Sequence, residues 1–182
     1  MPHAIEMLRD DHQKVKDLFE HFETTESGDK KEIVDTTLRE LAIHTSLEEE
    51  IFYPAARRAL AKIEDGGSDA IDEAWEEHHV VKLLSAELKK MRSSDERYDA
   101  KFTVLAESVK HHIEEEEKEL FPKLEGHIEG EELGEKMTAR KEKLLQQTED
   151  GSKRRSAGSK TRASKRGKKK VQKRRRASGG HR

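Results

Sequence analysis

Over residues 1–128 apolar side chains recur at alternating steps of three and four, the spacing that turns one face of a helix toward a bundle interior. A first segment carries Ile5, Leu8, Val15, Phe19 and Phe22, and Ser27-Gly28-Asp29 interrupts it. A second carries Val34, Leu41, Ile51 and Ala55 and ends at Asp65-Gly66-Gly67-Ser68. A third carries Ile71, Ala74, Val81 and Leu88 and breaks near Ser93-Ser94-Asp95; a fourth carries Phe102, Leu105, Val109 and Leu120 and closes near Gly126. Pro54 and Pro122 fall late in the second and fourth segments, where the missing amide proton predicts a kink. A weaker period over residues 131–147 carries Leu133, Met137 and Leu144. Short connections make neighbouring helices antiparallel. The expected fold class is all-α: an up-down-up-down antiparallel four-helix bundle over 1–128, a short C-terminal helix over 129–149 and a disordered tail over 150–182.

The seams have gaps, and the residues that fill them are ionisable. His12 fills the step between Leu8 and Val15, and His78 the step between Ala74 and Val81. His44 and Glu48 lie between Leu41 and Ile51, and His112 and Glu116 between Val109 and Leu120. Six polar residues thus stand where a bundle core should be apolar.

An internal repeat relates these positions. Asp11-His12-Gln13-Lys14-Val15-Lys16-Asp17-Leu18 matches Glu77-His78-His79-Val80-Val81-Lys82-Leu83-Leu84 at an offset of 66. The run from His44 to Pro54 matches that from His112 to Pro122 at an offset of 68. Two helical hairpins related by a pseudo-twofold axis would bring both sets of residues together at the bundle centre.

A histidine and a glutamate at i and i+4 share one helical face, so both can reach one ion. A buried bare carboxylate costs several kcal/mol unless it is paired or bound to metal. Four imidazoles and two carboxylates suit a pair of first-row divalent ions, iron above all. In this reading each ion takes two histidines and Glu48 and Glu116 bridge the pair, leaving positions for an oxo or hydroxo bridge and a small exogenous ligand. Glu49, Glu50, Glu115 and Glu117 read as solvated face. His79 and His111 lie about 100° off the seam and read as surface or outer residues. Tyr53, Trp75 and Phe121 read as packing, and His3, His21, His127 and His181 call for no special role.

At these residues the chain resembles the hemerythrin-like (HHE cation-binding) family over roughly residues 3–125. The resemblance rests on His12 with the following Val15-Lys16 and Leu18, on His44-x-x-x-Glu48-Glu49 with its Phe52-Tyr53-Pro54 ending, on Glu77-His78, and on His112-x-x-x-Glu116-Glu117 with Phe121-Pro122. It implies an up-down four-helix bundle holding a non-haem di-iron centre with His12, His44, Glu48, His78, His112 and Glu116 as ligands. The oxygen-carrying members use five histidines, with a His-x-x-x-His pair on the third helix; here His78 has Ala74 and Lys82 at those offsets. They also use a His-x4-Asp pair on the fourth helix, an offset that Glu117 occupies here, whereas Glu116 is the residue that matches the repeat. With one histidine fewer, the resemblance implies iron or oxygen sensing, or handling of dioxygen, peroxide or nitric oxide, rather than oxygen transport.

Composition changes the picture at the C-terminal end. The net charge of the 182-residue chain is −2, yet residues 151–182 hold 15 Lys/Arg and no acid. The remaining 22 basic residues face all 39 acidic ones, so residues 1–150 carry −17. With four apolar residues, three of them alanine, the tail cannot bury enough surface to offset its ordering entropy. Its charge suits non-specific, salt-sensitive contact with nucleic acid, and without aromatics it offers no base stacking. A second reading therefore makes the chain a nucleoid-associated DNA-binding protein in which the bundle is mainly a scaffold. The absence of cysteine excludes disulfides, zinc fingers and thiol catalysis. No apolar run approaches the roughly 18 residues of a membrane span. The start has no basic-then-apolar signal, so the expected location is cytoplasmic, with association with the nucleoid if the tail binds DNA.

Overall fold

The computed structural model describes residues 2–26, 29–63 and 68–148. The tail expected to be disordered, and the Asp65-Gly66-Gly67 break, lie outside the described residues. Among the described residues the chain is helical and contains no strand. Helix α1 spans Ala4–Thr24 and α2 spans Lys30–Leu47. A π-helical turn, Glu48–Phe52, leads from α2 directly into α3, Tyr53–Leu60. Helix α4 spans Ser68–Leu88 and α5 spans Tyr98–Glu115, which a second π-helical turn, Glu116–Leu120, joins to α6, Phe121–Leu124. A last helix, α7, covers 130–148.

Helices α1 and α2 pack as one antiparallel hairpin and α4 and α5 as another, and the two meet through α1 against α5 and α2 against α4. The seam residues account for the packing. Val15, Phe19, Phe22, Val34, Leu38, Leu41, Val81, Leu88, Phe102, Leu105 and Val109 form one continuous buried cluster. On the far side of the ionisable layer, Ile5, Leu8, Phe52, Ile71, Phe121 and Leu124 are buried in turn. The polar layer is therefore enclosed by apolar packing on both sides along the bundle axis.

The prolines act differently from a simple kink. Pro54 and Pro122 have no amide proton, and each ring crowds the carbonyl four residues earlier. The preceding turn widens instead: Tyr53 N–H donates to the Glu48 carbonyl and Phe121 N–H to that of Glu116, both five residues back. Such a widened turn admits one extra residue and rotates all that follows. Ile51 and Ala55, expected in the seam, are consequently only half-buried, and Phe52, Tyr53 and Ala56 take the core positions.

Met1–Lys141 forms one compact unit. Within it, the start of α7 lies over the N-terminal end of α1. A Cβ at Gly134 would fall 1.9 Å from the Pro2 carbonyl oxygen, a backbone atom, so the approach depends on glycine there; one at Gly130 would displace the His3 ring, 1.9 Å away at Nε2. Met137 is fully buried, Thr138 Oγ1 lies 3.6 Å from Met7 Sδ, and Lys141 pairs with Asp11. Beyond Lys141 the helix continues to residue 148, where Thr148 Oγ1 donates to the Leu145 carbonyl at 2.7 Å.

Candidate metal centre

All six ionisable seam residues are buried and brought together. Glu48 is 0% exposed, His12 1% and Glu116 2%. His12 comes from α1, His44 and Glu48 from α2 and its π-helical continuation, His78 from α4, and His112 and Glu116 from α5 and its continuation. One atom from each of His12, His44, Glu48 and Glu116 falls within 4.8 Å of the others, as does one from each of Glu48, His78 and His112. Glu48 belongs to both groups.

The inner atoms crowd one another. His12 Nε2 is 3.2 Å from His44 Nε2, and His78 Nε2 is 3.2 Å from His112 Nε2. Glu48 Oε2 lies 3.0 Å from His44 Nε2 and 3.2 Å from His78 Nε2; Glu116 Oε2 lies 3.2 Å from His12 Nε2 and 3.5 Å from His112 Nε2. None of these carboxylate contacts has hydrogen-bond alignment, so both oxygens of Glu48 and Oε2 of Glu116 are buried without a hydrogen bond.

The outer atoms explain that crowding. His12 Nδ1 donates to Glu117 Oε1 at 2.9 Å, His78 Nδ1 to Glu49 Oε1 at 3.0 Å, and His112 Nδ1 to Glu77 Oε2 at 2.6 Å. Lys16 holds both oxygens of Glu117, and Lys82 both oxygens of Glu49. A carboxylate on Nδ1 fixes the proton there and leaves the Nε2 lone pair facing inward. Convergent lone pairs are relieved by a proton or by a cation. Among the described residues, His44 alone of the four histidines lacks an outer partner: its Nδ1 is buried and unpaired.

Charge favours cations over protons as the lasting solution. Glu48, Glu49, Glu77, Glu116 and Glu117 bring five carboxylates against Lys16 and Lys82. In the metal-free chain, burial opposes a positive His112, but Glu116, Glu77 and Glu48 overcome it and raise its pKa to about 9. Burial likewise opposes ionised Glu48, but His44 and His78 overcome it and hold its pKa well below the ordinary carboxylate value. The pocket thus keeps Glu48 ionised and gathers positive charge around it.

Three sequence expectations change. Glu49 and Glu117, read as solvated face, orient imidazoles because the π-helical turns swing them toward α4 and α1 respectively. Tyr53, read as packing, donates its hydroxyl to Glu116 Oε1 at 2.9 Å and lies 3.3 Å from His78 Nε2. Burial and the Glu116 and Glu48 charges raise the phenol pKa well above normal, so it stays protonated in the metal-free chain. The available signal was the mismatch in the repeat, where Tyr53 faces Phe121. Trp75, read as packing, lies with its ring 6.4 Å from that of Tyr53 and is 41% exposed. Glu50 remains on the surface, paired with Arg140 at 2.7 and 2.9 Å, and His79 and His111 are exposed.

Above the imidazoles, Val15, Leu41, Val81, Val109 and Ile113 line a cavity of about 10 Å³. That is space for the centre of one water-sized molecule.

Comparison with known proteins bears on the family and the fold. Residues 3–124 match the family described as the hemerythrin HHE cation binding domain. A hemerythrin HHE cation binding domain-containing protein from Mycobacterium kansasii has a crystal structure that superposes with a TM-score of 0.67 at 28% identity, covering 79% of this chain and 88% of that one. A DNA nickase of Nostoc sp. is 26% identical over 127 residues, 69% of this chain and 34% of that protein. An uncharacterized hemerythrin-like protein of Schizosaccharomyces pombe is 31% identical over 93 residues, 51% of this chain and 44% of that protein. The chain thus spans less than half the length of these two curated relatives.

Proposed function

The chain belongs to the hemerythrin HHE cation-binding family, and we propose that its buried layer binds two iron ions through His12, His44, Glu48, His78, His112 and Glu116. The observation that supports this most directly is the inward convergence of four Nε2 atoms on Glu48 and Glu116, three of whose four carboxylate oxygens have no hydrogen bond, with three outer N–H groups fixed by glutamates. Glu48 and Glu116 would be shared by the two ions in this reading, a role supported by each carboxylate lying against a histidine of both hairpins. A bound iron pair with an oxo or hydroxo bridge would supply redox chemistry toward dioxygen, peroxide or nitric oxide.

The protein's own contribution is to orient, exclude and donate. Glu117, Glu49 and Glu77 hold three imidazoles in one tautomer. The apolar cavity above them admits only a very small ligand, which favours dioxygen, peroxide or nitric oxide over any organic substrate. The protonated Tyr53 hydroxyl oxygen lies 2.9 Å from Glu116 Oε1, where its proton can be given up to a neighbouring anion. This reading makes the protein a sensor or handler of iron and small oxidants. Elemental analysis after anaerobic ferrous reconstitution tests it: about two irons per chain are expected. Absence of metal overturns it.

A second role is favoured by a separate observation. Residues 151–182 carry 15 Lys/Arg and no acid, and one relative is a DNA nickase. We infer that this tail contacts nucleic acid non-specifically, placing the iron centre beside DNA and the protein in the cytoplasm with the nucleoid. Retention on DNA in a shift assay should fall steeply between 50 and 200 mM salt. It should vanish on truncation after Asp150 and persist when His44 and Glu48 are replaced by alanine. Retention without the tail at moderate salt overturns this role.

A further inference from the structure

The two hairpins give their shared layer very different access to solvent. On the α4–α5 side a cleft of about 50 Å³ runs from the surface to the layer. Glu73 and Glu119 at its mouth are exposed, Glu77 and Glu115 are half-buried, and His112 and Glu116 are buried. Four carboxylates therefore mark a path that ends on two of the inner residues. Glu116, 2% exposed, lines the inner end of the cleft, and its Oε2, 3.5 Å from His112 Nε2, has no hydrogen bond.

The mouth also carries an arrangement of its own. His111 Nε2 lies 3.2 Å from Glu115 Oε1 and 4.0 Å from Glu77 Oε1. One atom of each of these three residues falls within 4.8 Å of the other two. Glu77 faces both ways, since its other oxygen accepts the His112 proton at 2.6 Å. An ion held by His111 and Glu115 would thus be one carboxylate away from an inner histidine.

The repeat supplies the control. The counterparts of Glu73, His111, Glu115 and Glu119 in the first hairpin are Met7, Ile43, Leu47 and Ile51. Asp11, the counterpart of Glu77, is neutralised by Lys141. Where one hairpin has an acidic cleft, the other has apolar side chains, with Ile43 and Leu47 buried and Met7 against Thr138 of α7. A need for helix solubility does not account for carboxylates that line a path into the core.

Resting on the proposed metal centre, we propose that Glu73, His111, Glu115 and Glu119, with Glu77, form an uptake site that captures a divalent first-row cation and passes it to His112 and Glu116. Carboxylates in a cleft raise the local cation concentration and the rate of capture, an effect that salt screens. The site governs how fast the centre fills, not how much it finally holds.

Cobalt(II) is a suitable probe because its ligand-field absorption reports arrival at the inner residues. Metal-free full-length protein is mixed with cobalt(II) anaerobically in a stopped-flow instrument, and final content is read by elemental analysis. The E73Q/E115Q/E119Q variant should fill about tenfold more slowly than wild type at low salt, with a flatter salt dependence. Its final cobalt content should equal that of wild type. A variant neutralised at Glu20, Glu26 and Glu96, toward the other end of the bundle, should fill at the wild-type rate. If the triple variant does not fold, Glu73→Gln and Glu119→Gln alone, both at exposed positions, should each slow filling by about twofold. Filling at the wild-type rate in the cleft variants overturns the proposal, as does a lower final content, which would make these acids part of the centre itself. A wild-type protein that takes up no cobalt would instead overturn the metal centre, and the uptake site with it.

Discussion

The two hairpins set the same residues around the centre and then diverge one layer out. His12 and His78 each donate to a glutamate that a lysine grips, and each lies against an aromatic ring: Phe121 stacks on His12 at 5.7 Å, and Tyr53 lies 5.4 Å from His78. At the second histidine of each hairpin the match ends. His112 has Glu77, whereas the counterpart of Glu77 in the first hairpin is a shorter Asp11 that pairs with Lys141, and His44 Nδ1 has no hydrogen bond. Inner positions are held alike because both must supply lone pairs to one shared point. Outer positions are free to differ, and the differences give the second hairpin's histidines a phenol proton donor and an open cleft, and the first hairpin a covering helix.

The largest effect should come from the inner layer, where the hairpins are equivalent. Replacing Glu48 or Glu116 by alanine removes a carboxylate that both ions would share, so either variant is expected to lose both irons. The measurement is iron content per chain after reconstitution. Retention of one ion by either variant would show that the carboxylates do not bridge. The apolar packing above and below should keep both variants helical by circular dichroism.

The next effect separates the hairpins. Glu77→Gln removes the acceptor that orients His112 and should weaken metal affinity about 10- to 100-fold. The matching change Asp11→Asn should leave affinity unchanged, because Asp11 orients no imidazole. It loses an ion pair with Lys141 and should cost stability by about 1 kcal/mol or less. Competition with a chelator gives the affinities and denaturant unfolding the stabilities. Equal losses of affinity in the two variants would erase the distinction.

How far this was legible in the sequence differs by layer. Seam gaps at His12, His44, Glu48, His78, His112 and Glu116 were visible because helical periodicity marks a buried position whatever residue fills it. The roles of Glu49 and Glu117 were not, because their distance from the seam holds only for an unbroken α-helix. The π-helical turns before Pro54 and Pro122 shift the register at those very residues, and the same shift moved the core from Ile51 and Ala55 to Phe52, Tyr53 and Ala56. A proline announces a disturbance, but whether the chain bends or widens is decided by what the surrounding helices need to pack. The acidic cleft was hidden for another reason: Glu73, Glu77, Glu115 and Glu119 resemble any solvated face until α4 and α5 are placed side by side.

A smaller effect tests the aromatic mismatch. Tyr53→Phe makes the second hairpin's environment match the first, where Phe121 already stands. The variant should keep two irons, since Tyr53 is not among the six residues, but it loses the one hydrogen bond to Glu116 Oε1. Its visible absorption in the ferric state should change if the phenol lies against the iron pair, and its reactivity with peroxide should fall if that proton is used. An unchanged spectrum and unchanged peroxide decay would return Tyr53 to a packing role.

The smallest effect is a slope with pH, and it separates the metal-free from the loaded protein. Without metal, His112 titrates near pH 9 in the folded chain against about 6.5 when unfolded. A folded pKa above the unfolded one means that the stabilisation is complete below about pH 6.5 and lost as pH rises toward 9. Burial raises no objection to this sign, because the Glu116 and Glu77 charges already outweigh it. The metal-free protein should therefore melt at progressively lower temperature between those limits. Loading replaces the proton with a cation, and cation binding strengthens as competing protons are removed. The loaded protein should show a flat or rising melting temperature over the same range. Two parallel slopes in thermal unfolding would mean that the cation does not take the proton's place on these imidazoles.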